Sequence, residues 1–467
     1  MKHLLVMKFG GTSMGSAERI RVAAQICAGE KPKRPVIAVV SAMSKITDLL
    51  VDTLRRAEAG DDSGLEANLA TLALKHEDCC ADLLSDSSRA EAMLGLDALI
   101  GAFRRIVHGI RMLGERPPRS VDEALAIGER LSALLMAGYM NSIGIPAQAI
   151  NGADVIVTDA VFGSATPILE ETRKKAVSLI HPLIETGVLP IVTGFNGSTI
   201  DGRPTTLGRG GSDFSASILA STLDAEELWI WTDVDGIMSA DPRLVPNARV
   251  LEEVTYSEAA ELAYNGAKVL HPRTLAPLAA QQIPVWSKNS FALDQPGTRI
   301  VPKARISPAP GPRAVTSMTN VALVSIEPAS AAVSGTRLMA RALEALAGAN
   351  AEVLALSSSS YRQSFCFLVR NDELAATMKN LEADLALELT HGYLNPIDVD
   401  QDVALLAIVG EGMRGTSGLA GRIFSAVSRQ NVNIIAIAQG SSELTISLVV
   451  RRDGLERAIR AVHEECR

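Results

Sequence analysis

The chain has 467 residues, of which 47% are hydrophobic, 21% are charged and only 4% are aromatic. This composition supplies enough apolar material for ordinary cores and excludes disordered and fibrous proteins. The length predicts about three domains. The chain contains 45 Lys and Arg residues and 53 Asp and Glu residues, which gives a net charge of −8. A protein with this negative charge has no global electrostatic reason to bind nucleic acid or an anionic membrane.

The cysteines predict a reduced protein with buried, inert thiols. They stand at positions 27, 79, 80, 366 and 466, form no C-x-x-C pair, and match no metal pattern with the seven histidines. The apolar run before Lys8 is too short for a signal peptide, and no stretch approaches the roughly 18 apolar residues that span a bilayer. We therefore expect a soluble, cytoplasmic protein.

Over the first 300 residues, short apolar runs alternate with apolar faces of helical period. The predicted strands are 3–8, 35–40, 145–150, 189–195, 227–232 and 284–287. The predicted helices are 16–28, 45–59, 121–141, 167–185, 212–223 and 257–264. Residues 65–113 are helical in pattern without intervening strands, which indicates a helical insertion. The alternation predicts an α/β fold with a mostly parallel sheet covered on both sides by helices.

The composition of the sequence changes near residue 302, where prolines become frequent. Four prolines fall within residues 301–313, which indicates an inter-domain linker. Beyond it, residues 320–326 match 402–408, and residues 350–356 match 431–437, at an offset of roughly 80 residues. Each copy is predicted to run strand, helix, strand, strand, helix, as a small α+β module present twice; chance similarity of two amphipathic stretches is the alternative.

Three glycine-bearing turns follow predicted strands, at residues 7–13, 205–213 and 231–237. Glycines allow the backbone to approach a ligand, and helix N-termini offer N–H donors to an anion. A tight turn alone is an open alternative for the first, and helix capping by Ser212 is the alternative for the second, although capping does not explain Arg209 between glycines. Because ligands of open α/β sheets bind at the carboxyl ends of strands, the three turns together predict a phosphate site. Neither a P-loop nor a Rossmann fingerprint is present in the sequence.

These turns, with residues 128–132 and 266–272, resemble the signature series of the aspartokinase family. The resemblance covers essentially the whole chain. It implies an amino acid kinase-like three-layer α/β/α domain over residues 1–300, the linker at 301–313, and tandem ACT-like (ferredoxin-like) modules at 314–390 and 391–467. No dehydrogenase sequence follows the tail, so the monofunctional form is expected.

The resemblance implies transfer of the γ-phosphoryl group of ATP to the side-chain carboxylate of L-aspartate, the first step toward lysine, threonine, methionine and isoleucine. An aspartate side chain has a pKa near 3.9 and is already ionised at neutral pH, so no general base is required. Catalysis then consists of positioning two anions and stabilising charge. Mg²⁺ is expected to arrive with the nucleotide, and no protein metal site is expected.

The resemblance also assigns residues to roles. The catalytic group is Lys8, Asp213 and Lys268, with Asp213 orienting the lysines. The ATP-binding group is Lys8, Phe9, Gly10, Gly11, Thr232, Asp233, Met238, Arg243, Lys268 and Val269. The substrate-binding group is Ser41, Thr47, Glu129, Phe195, Arg209, Gly210, Gly211 and Ser212. Among these, Arg209 would bind the α-carboxylate of aspartate and Glu129 its α-ammonium.

ACT pairs in this family bind an end-product amino acid, which implies feedback regulation here. Residues 354–363 of the first repeat contain no carboxylate for the effector's ammonium group, and Arg362 stands where the second repeat has Glu443. Glu327, Glu352 or backbone carbonyls could substitute, or this copy senses no amino acid. Edge strands of such modules pair with other modules, so a homodimer or larger homo-oligomer is expected.

Two other functions stay open at this point. A kinase for acetylglutamate, glutamate or a nucleoside monophosphate would share the fold, although Glu129, Arg209 and the repeated tail argue against it. A non-catalytic amino-acid sensor on an inactive kinase scaffold is the other alternative, and the presence of Lys8, Asp213 and Lys268 argues against that.

Overall fold

The computed structural model describes residues 3–267, 269–303, 310–329, 333–360 and 363–466. Lys268 and Arg362 therefore lie outside the described residues. The chain divides into two compact units. The first comprises Met1–Ile237, Glu252–Val254 and Leu270–Pro302, and the second comprises Met238–Leu251, Thr255–Val269 and Lys303–Arg467.

Strands and helices alternate along the described residues. The strands are β1 (Leu5–Phe9), β2 (Val36–Val40), β3 (Ala147–Ile150), β4 (Val157–Thr158), β5 (Leu189–Thr193), β6 (Asn196–Thr199), β7 (Pro204–Thr206), β8 (Glu227–Thr232), β9 (Glu253–Thr255), β10 (Val285–Asn289), β11 (Thr298–Val301), β12 (Ala314–Met318), β13 (Val321–Ile326), β14 (Ala355–Ser358), β15 (Phe365–Arg370), β16 (Asp398–Asp400), β17 (Val403–Val409), β18 (Ile434–Gln439) and β19 (Thr445–Arg451). The helices are α1 (Ala17–Glu30), α2 (Ile46–Ala59), α3 (Asp62–Leu83), α4 (Asp86–Leu113), α5 (Pro118–Leu125), α6 (Ile127–Ser142), α7 (Gly152–Val155), α8 (Leu169–Glu185), α9 (Gly211–Thr222), α10 (Tyr256–Tyr264), α11 (Pro272–Gln281), α12 (Gly335–Gly348), α13 (Asn371–Asp384), α14 (Ala386–Thr390), α15 (Leu419–Arg429) and α16 (Leu455–His463).

The first unit is built on an eight-stranded sheet in the order β3-β5-β2-β1-β8-β10-β11-β9. The neighbours from β3 to β10 pair in parallel, and β11 then runs antiparallel to β10. Because parallel strands share one direction, the carboxyl ends of six strands lie at the same edge of the sheet. The loops that follow β1, β2, β5 and β8 therefore meet there.

Both faces of this sheet are covered, since every residue of β1 and β2 is buried. Leu5, Met7 and Phe9 pack into a core that draws residues from α1, α2, α3, α4 and α6. On the opposite face α9 lies against β1 and β8, and α8 lies against β5. The predicted three-layer arrangement with a mostly parallel sheet is confirmed.

The predicted helical insertion is also confirmed. Helices α3 and α4 form a lobe that packs against α2 and α6. The single helix predicted over residues 121–141 is instead two helices, α5 and α6, which meet at Ala126. The apolar period continues across this break, so the sequence pattern does not reveal it.

The tail of the second unit confirms the predicted repeat: β13-α12-β14-β15-α13 is followed by β17-α15-β18-β19-α16. Each repeat has a four-stranded sheet, in the orders β14-β15-β13-β16 and β12-β17-β19-β18. The two repeats exchange strands. The strand preceding each repeat pairs with the other one, β12 with β17 and β16 with β13, both antiparallel.

Two segments within residues 1–300 group with this second unit. Ala240 and Val245 pack in the core of the second repeat, beside Ile423 and Leu448, and α10 contacts β17. The predicted domain bounds of 1–300, 301–313, 314–390 and 391–467 stay a prediction, and residues 304–309 of the linker lie outside the described ranges.

The cysteines are all free, and all but Cys366 are buried. Burial raises the pKa of the Cys79 and Cys466 thiols to about 12, which keeps them protonated and unreactive. No helix in the described part of the chain is both long and apolar enough to span a membrane.

Candidate active site

The loops that follow β1, β2 and β5 each donate a backbone hydrogen bond to the carboxyl end of a neighbouring strand. The amide of Gly10 donates to the carbonyl of Trp231 at 3.1 Å. The amide of Ser41 donates to the carbonyl of Phe9 at 3.1 Å, and the amide of Gly194 donates to that of Val40 at 2.9 Å. The first and third glycine-bearing turns thus lie side by side, as the sequence predicts.

Lys8 forms an ion pair with Asp213 at the centre of this edge. The Nζ of Lys8 lies 2.6 Å from Oδ1 of Asp213, and the two side chains are 11% and 22% exposed. Asp213 stands in the first turn of α9, and a Cβ on Gly10 would lie 3.4 Å from the same Nζ. The arrangement fixes a cation beside a turn whose backbone stays accessible.

Glu129 enters the site because α6 approaches the loop after β2 closely. A Cβ on Gly128 would lie only 2.8 Å from the Cβ of Ala42, so only glycine allows this distance. Oε1 of Glu129 then accepts from the amide of Ala42 at 3.2 Å. The side chain is buried, with 3% exposure, and its Oε2 has no hydrogen-bond partner among the described residues.

The burial of Glu129 has an electrostatic consequence. Desolvation raises the pKa of its carboxyl group to about 8, although the amide of Ala42 and the positive charge of Lys8 both oppose the rise. A buried carboxyl group with a free oxygen can become ionised when a cationic group of a ligand binds beside it. The position is therefore suited to an ammonium group.

The second glycine-bearing turn presents Arg209 to solvent between two residues of left-handed backbone. Gly208 and Gly210 have φ values of 75° and 70°, which glycine adopts without strain. A Cβ on Gly211 would lie 2.7 Å from the ring of Phe195. A Cβ on Gly194 would lie 2.7 Å from that of Ser212. The turn therefore packs directly on the loop that follows β5.

The third turn holds Thr232 and Asp233, the former half-buried and the latter exposed. Its backbone is held by Ser290, a residue absent from the sequence assignments. Oγ of Ser290 donates to the carbonyl of Thr232 at 3.1 Å and lies 2.7 Å from Oγ of Ser13. Ser13 belongs to the first turn, so the two hydroxyls link the first and third turns. No local sequence signal marks Ser290, because its partners lie far away in the chain.

The structure places fifteen of the nineteen predicted site residues in the first unit. Met238, Arg243 and Val269 belong to the second unit, and Lys268 lies outside the described residues. Arg243 is 79% exposed and pairs with Asp241 at 2.6 Å. Thr47 is half-buried in the first turn of α2, which follows the loop of Ser41. Among the described residues there is no cluster of three or more side chains suited to a metal ion.

Comparisons with known proteins identify two families within the chain. The sequence profile of the amino acid kinase family matches residues 3–289. The profile of the ACT domain matches residues 406–466, which fall in the second of the two repeats.

The chain is similar over its length to curated aspartokinases. Bifunctional aspartokinase/homoserine dehydrogenase 1, chloroplastic, of Arabidopsis thaliana is 36% identical, over 98% of this chain and 50% of that protein. An aspartokinase of Candida albicans is 28% identical, over 98% of this chain and 89% of its own. The chain spans about half the length of the bifunctional relative.

Solved structures agree with the sequence comparison. The structure of E. coli aspartokinase III in complex with aspartate and ADP (R-state) matches with a TM-score of 0.82 and 28% identity, over 99% of both chains. The structure of the same protein with lysine and aspartate (T-state) matches with a TM-score of 0.79 over the same shares.

Proposed function

The chain belongs to the amino acid kinase family, and from this premise we propose that it is an aspartate kinase. It transfers the γ-phosphoryl group of ATP to the side-chain carboxylate of L-aspartate and forms 4-phospho-L-aspartate. The full-length similarity to aspartokinases supports this choice within the family. The observation that carries it is the buried Glu129 carboxyl group with a free oxygen at the same sheet edge as Lys8.

Glu129 and Arg209 supply the two charges that an α-amino acid requires. The carboxyl group of Glu129 accepts the α-ammonium, and the guanidinium of Arg209 binds the α-carboxylate through paired N–H donors. The side-chain carboxylate of aspartate is then the remaining charged group and the nucleophile. Ser41, Thr47, Phe195, Gly210, Gly211 and Ser212 complete the substrate site in this proposal.

Lys8 neutralises the phosphoryl group during transfer, and Asp213 holds the lysine in place through their 2.6 Å ion pair. Amides of the turn that contains Gly10 and Gly11 add donors without a charge of their own. Phe9, Thr232, Asp233, Met238, Arg243, Lys268 and Val269 are assigned to ATP by the family resemblance and stay a prediction. Mg²⁺ enters with ATP, because this ion keeps water and phosphate oxygens as ligands.

The test is an assay of ADP release with a panel of acceptors. L-Aspartate, L-glutamate, N-acetyl-L-glutamate and UMP are each supplied with MgATP, and hydroxylamine traps any acyl phosphate. We expect turnover with L-aspartate alone. Turnover with another acceptor would move the chain to a different kinase of this fold, and binding without turnover would favour a sensor.

We propose that the repeats in the tail bind a pathway amino acid and regulate the kinase. Glu352, at the entry to β14, pairs with Arg370 at 3.3 Å and is 46% exposed, so its carboxylate is accessible to an ammonium group. Glu443 of the second repeat instead accepts from the amide of Gly415 at 2.6 Å. Equilibrium dialysis with lysine, threonine and methionine tests the proposal, and failure of all three to bind would defeat it.

The strands β14 and β18 lie at the edges of the two described tail sheets. Edge strands expose backbone donors and acceptors that pair with another chain. We propose a homodimer or larger homo-oligomer through the tail, in the cytoplasm, without nucleic-acid or membrane partners. Light scattering on the purified protein measures the subunit number, and a monomer at micromolar concentration would contradict the proposal.

A further inference from the structure

Two charged side chains outside the predicted site hold the backbone of the Arg209 loop, defined as residues 207–211, and the strand before it. One is Asp122 of α5, and the other is Arg273 of α11. Neither is assigned a role by the sequence motifs. Their contacts reach the loop from two different helices of the first unit.

Asp122 is buried, with 1% exposure, and its carboxylate is fully used. Oδ2 accepts from the amides of Gly163 and Thr206, each at 2.9 Å. Oδ1 accepts from the hydroxyl of Thr206 at 2.9 Å. Thr206 is the last residue of β7, directly before the Arg209 loop, so this carboxylate fixes the point at which the loop begins.

Arg273 fixes the next residue of the loop. Its Nη1 donates to the carbonyl of Leu207 at 3.1 Å, and its Nη2 donates to that of Ala165 at 2.7 Å. The guanidinium also lies 4.7 Å from the ring centre of Phe214 in α9. The planar guanidinium donates to two carbonyls and contacts an aromatic ring at the same time, and the single ammonium group of a lysine could not make these contacts together.

The helix that carries Asp122 is joined directly to the helix that carries Glu129. Asp122 precedes Glu129 by seven residues in the sequence, and α5 is followed directly by α6. The same helix pair thus holds the carboxyl group proposed for the ammonium of the substrate and the anchor of the loop proposed for its carboxylate. The distance between the two recognising charges depends on this connection.

We propose that Asp122 and Arg273 are positioning residues that set the Arg209 guanidinium at the spacing from Glu129 required by an α-amino acid. This inference rests on the proposed function for its choice of substrate. Neither side chain touches the substrate. Their contribution is to keep an exposed arginine in one place before the substrate arrives, which lowers the entropic cost of binding.

The first experiment measures the loop without reference to activity. Trypsin cleaves after Arg209 only when the loop opens, and mass spectrometry follows that single cut in the full-length protein. We expect Asp122→Ala and Arg273→Met to accelerate this cut by about tenfold, equivalent to about 1.4 kcal/mol. Asp122→Asn should cleave like the wild type, because its oxygen can accept both amides while its NH₂ donates to the Thr206 hydroxyl.

The second experiment measures steady-state kinetics on the same variants. The KM for aspartate should rise by about tenfold in Asp122→Ala and Arg273→Met, while the KM for ATP stays within about twofold. Asp62→Ala is the matched control, since Asp62 is 70% exposed and paired with Arg111 on the surface, and it should change neither measurement. A merely structural role would lower the unfolding temperature without separating the two KM values.

The outcomes are distinguishable. Unchanged cleavage after Arg209 in folded Asp122→Ala and Arg273→Met would overturn the inference. If Asp122→Ala does not fold, Arg273→Met decides, because methionine is an unbranched apolar side chain that removes the two carbonyl hydrogen bonds without adding a new polar group. If the wild type does not phosphorylate aspartate but both variants open the loop, the proposed function fails while the positioning role stands.

Discussion

Glu129 in the candidate active site and His76 in the helical lobe are both buried, and burial moves their pKa values in opposite directions. In the site, Glu129 is 3% exposed and its pKa is raised to about 8. In the lobe, His76 of α3 is fully buried and its pKa is lowered to about 4. Desolvation disfavours the charged form in both cases. Each side chain also leaves one atom, Oε2 or Nε2, without a partner among the described residues.

The difference between the two regions lies in what surrounds the buried group. Nδ1 of His76 donates to the carbonyl of Leu72, 2.8 Å away in the same helix, and its surroundings are the apolar core of the lobe. Glu129 lies at an edge lined by the Lys8–Asp213 ion pair. A ligand with an ammonium group can complete the environment of Glu129, whereas the lobe is complete as a neutral core.

The largest expected effect is at Lys8, the cation that distinguishes the site from the lobe. Lys8→Ala should lower kcat by at least about 1,000-fold, because the positive charge acts on the transferring phosphoryl group. Measurement of kcat by ADP release checks this. Lys33→Ala, which removes an exposed lysine paired with Glu30, is the control and should retain full activity.

A fall in kcat of Lys8→Ala could arise from the unpaired Asp213, since a partly buried carboxylate without its partner is destabilising. Asp213→Asn separates the two explanations, because it keeps the cation and removes the ion pair. We expect an intermediate loss of kcat. Retained turnover in Lys8→Ala would count against the role of this lysine.

The second effect concerns Glu129. Glu129→Gln keeps the shape and one acceptor but removes the charge, so the KM for aspartate should rise by about 100-fold with a smaller change for ATP. The control is Glu123→Gln on the exposed face of α5. Equal KM values for aspartate in the wild type and Glu129→Gln would contradict the assignment.

Glu129 also predicts how stability depends on pH. Its folded pKa of about 8 lies above the unfolded value of 4.5, so the folded state binds the extra proton between these values. The free energy of unfolding should therefore fall as pH rises from about 5 to 8.5, by a few kcal/mol at about 1.4 kcal/mol per pKa unit. Glu129→Gln should flatten this fall, and saturating aspartate should reduce it in the wild type. Denaturant titrations at several pH values measure both.

The third expected effect is that His76 in the lobe makes the protein less stable as the pH falls, whereas Glu129 makes it less stable as the pH rises. The folded pKa of His76, about 4, lies below the unfolded value of 6.5, so the unfolded state binds more protons in this interval. The free energy of unfolding should fall by a few kcal/mol as pH drops from 6.5 to 4. His76→Leu should remove this part of the acid sensitivity, and aspartate should leave it unchanged. His108→Leu, at a histidine that is 47% exposed, is the matched control; equal acid profiles for the two variants would refute the explanation.

Much of the fold could be predicted because its signals are local. The apolar runs that become β1, β2, β5 and β8 and the helical period of the lobe both appear in the sequence, as does the repeat in the tail. The exchange of β12 and β16 between the two repeats could not be predicted, because the residues of a strand do not by themselves determine which strand it pairs with. The break between α5 and α6 at Ala126 could not be predicted either, because the apolar face of the helical pattern continues through it.

The residues of the candidate site likewise fall into those that the sequence could reveal and those that only the folded structure reveals. Lys8, Arg209 and Asp213 stand in glycine-bearing turns and could be selected from the sequence. Glu129 has no such signal in its own residue type, because a helical glutamate is usually solvated, and only the surrounding motif marked it. Asp122, Arg273 and Ser290 act through backbone groups that are far away in sequence, and these contacts exist only in the folded chain.

The smallest expected effect is at the pair of hydroxyls that joins two turns of the site. Ser13 and Ser290 are buried, with 1% and 2% exposure, and their oxygens lie 2.7 Å apart. Unlike Glu129 they are fully paired within the protein, so their loss should cost the stability of a hydrogen bond, about 1 kcal/mol for Ser290→Ala. The KM for ATP should rise by a few-fold, because the turns of Gly10 and Thr232 are then less firmly joined. Ser13→Ala and the double variant complete a cycle, measured by denaturant unfolding and by the KM for ATP. A coupling energy near zero would show that the two hydroxyls act separately, each through its own hydrogen bond to a carbonyl of the third turn.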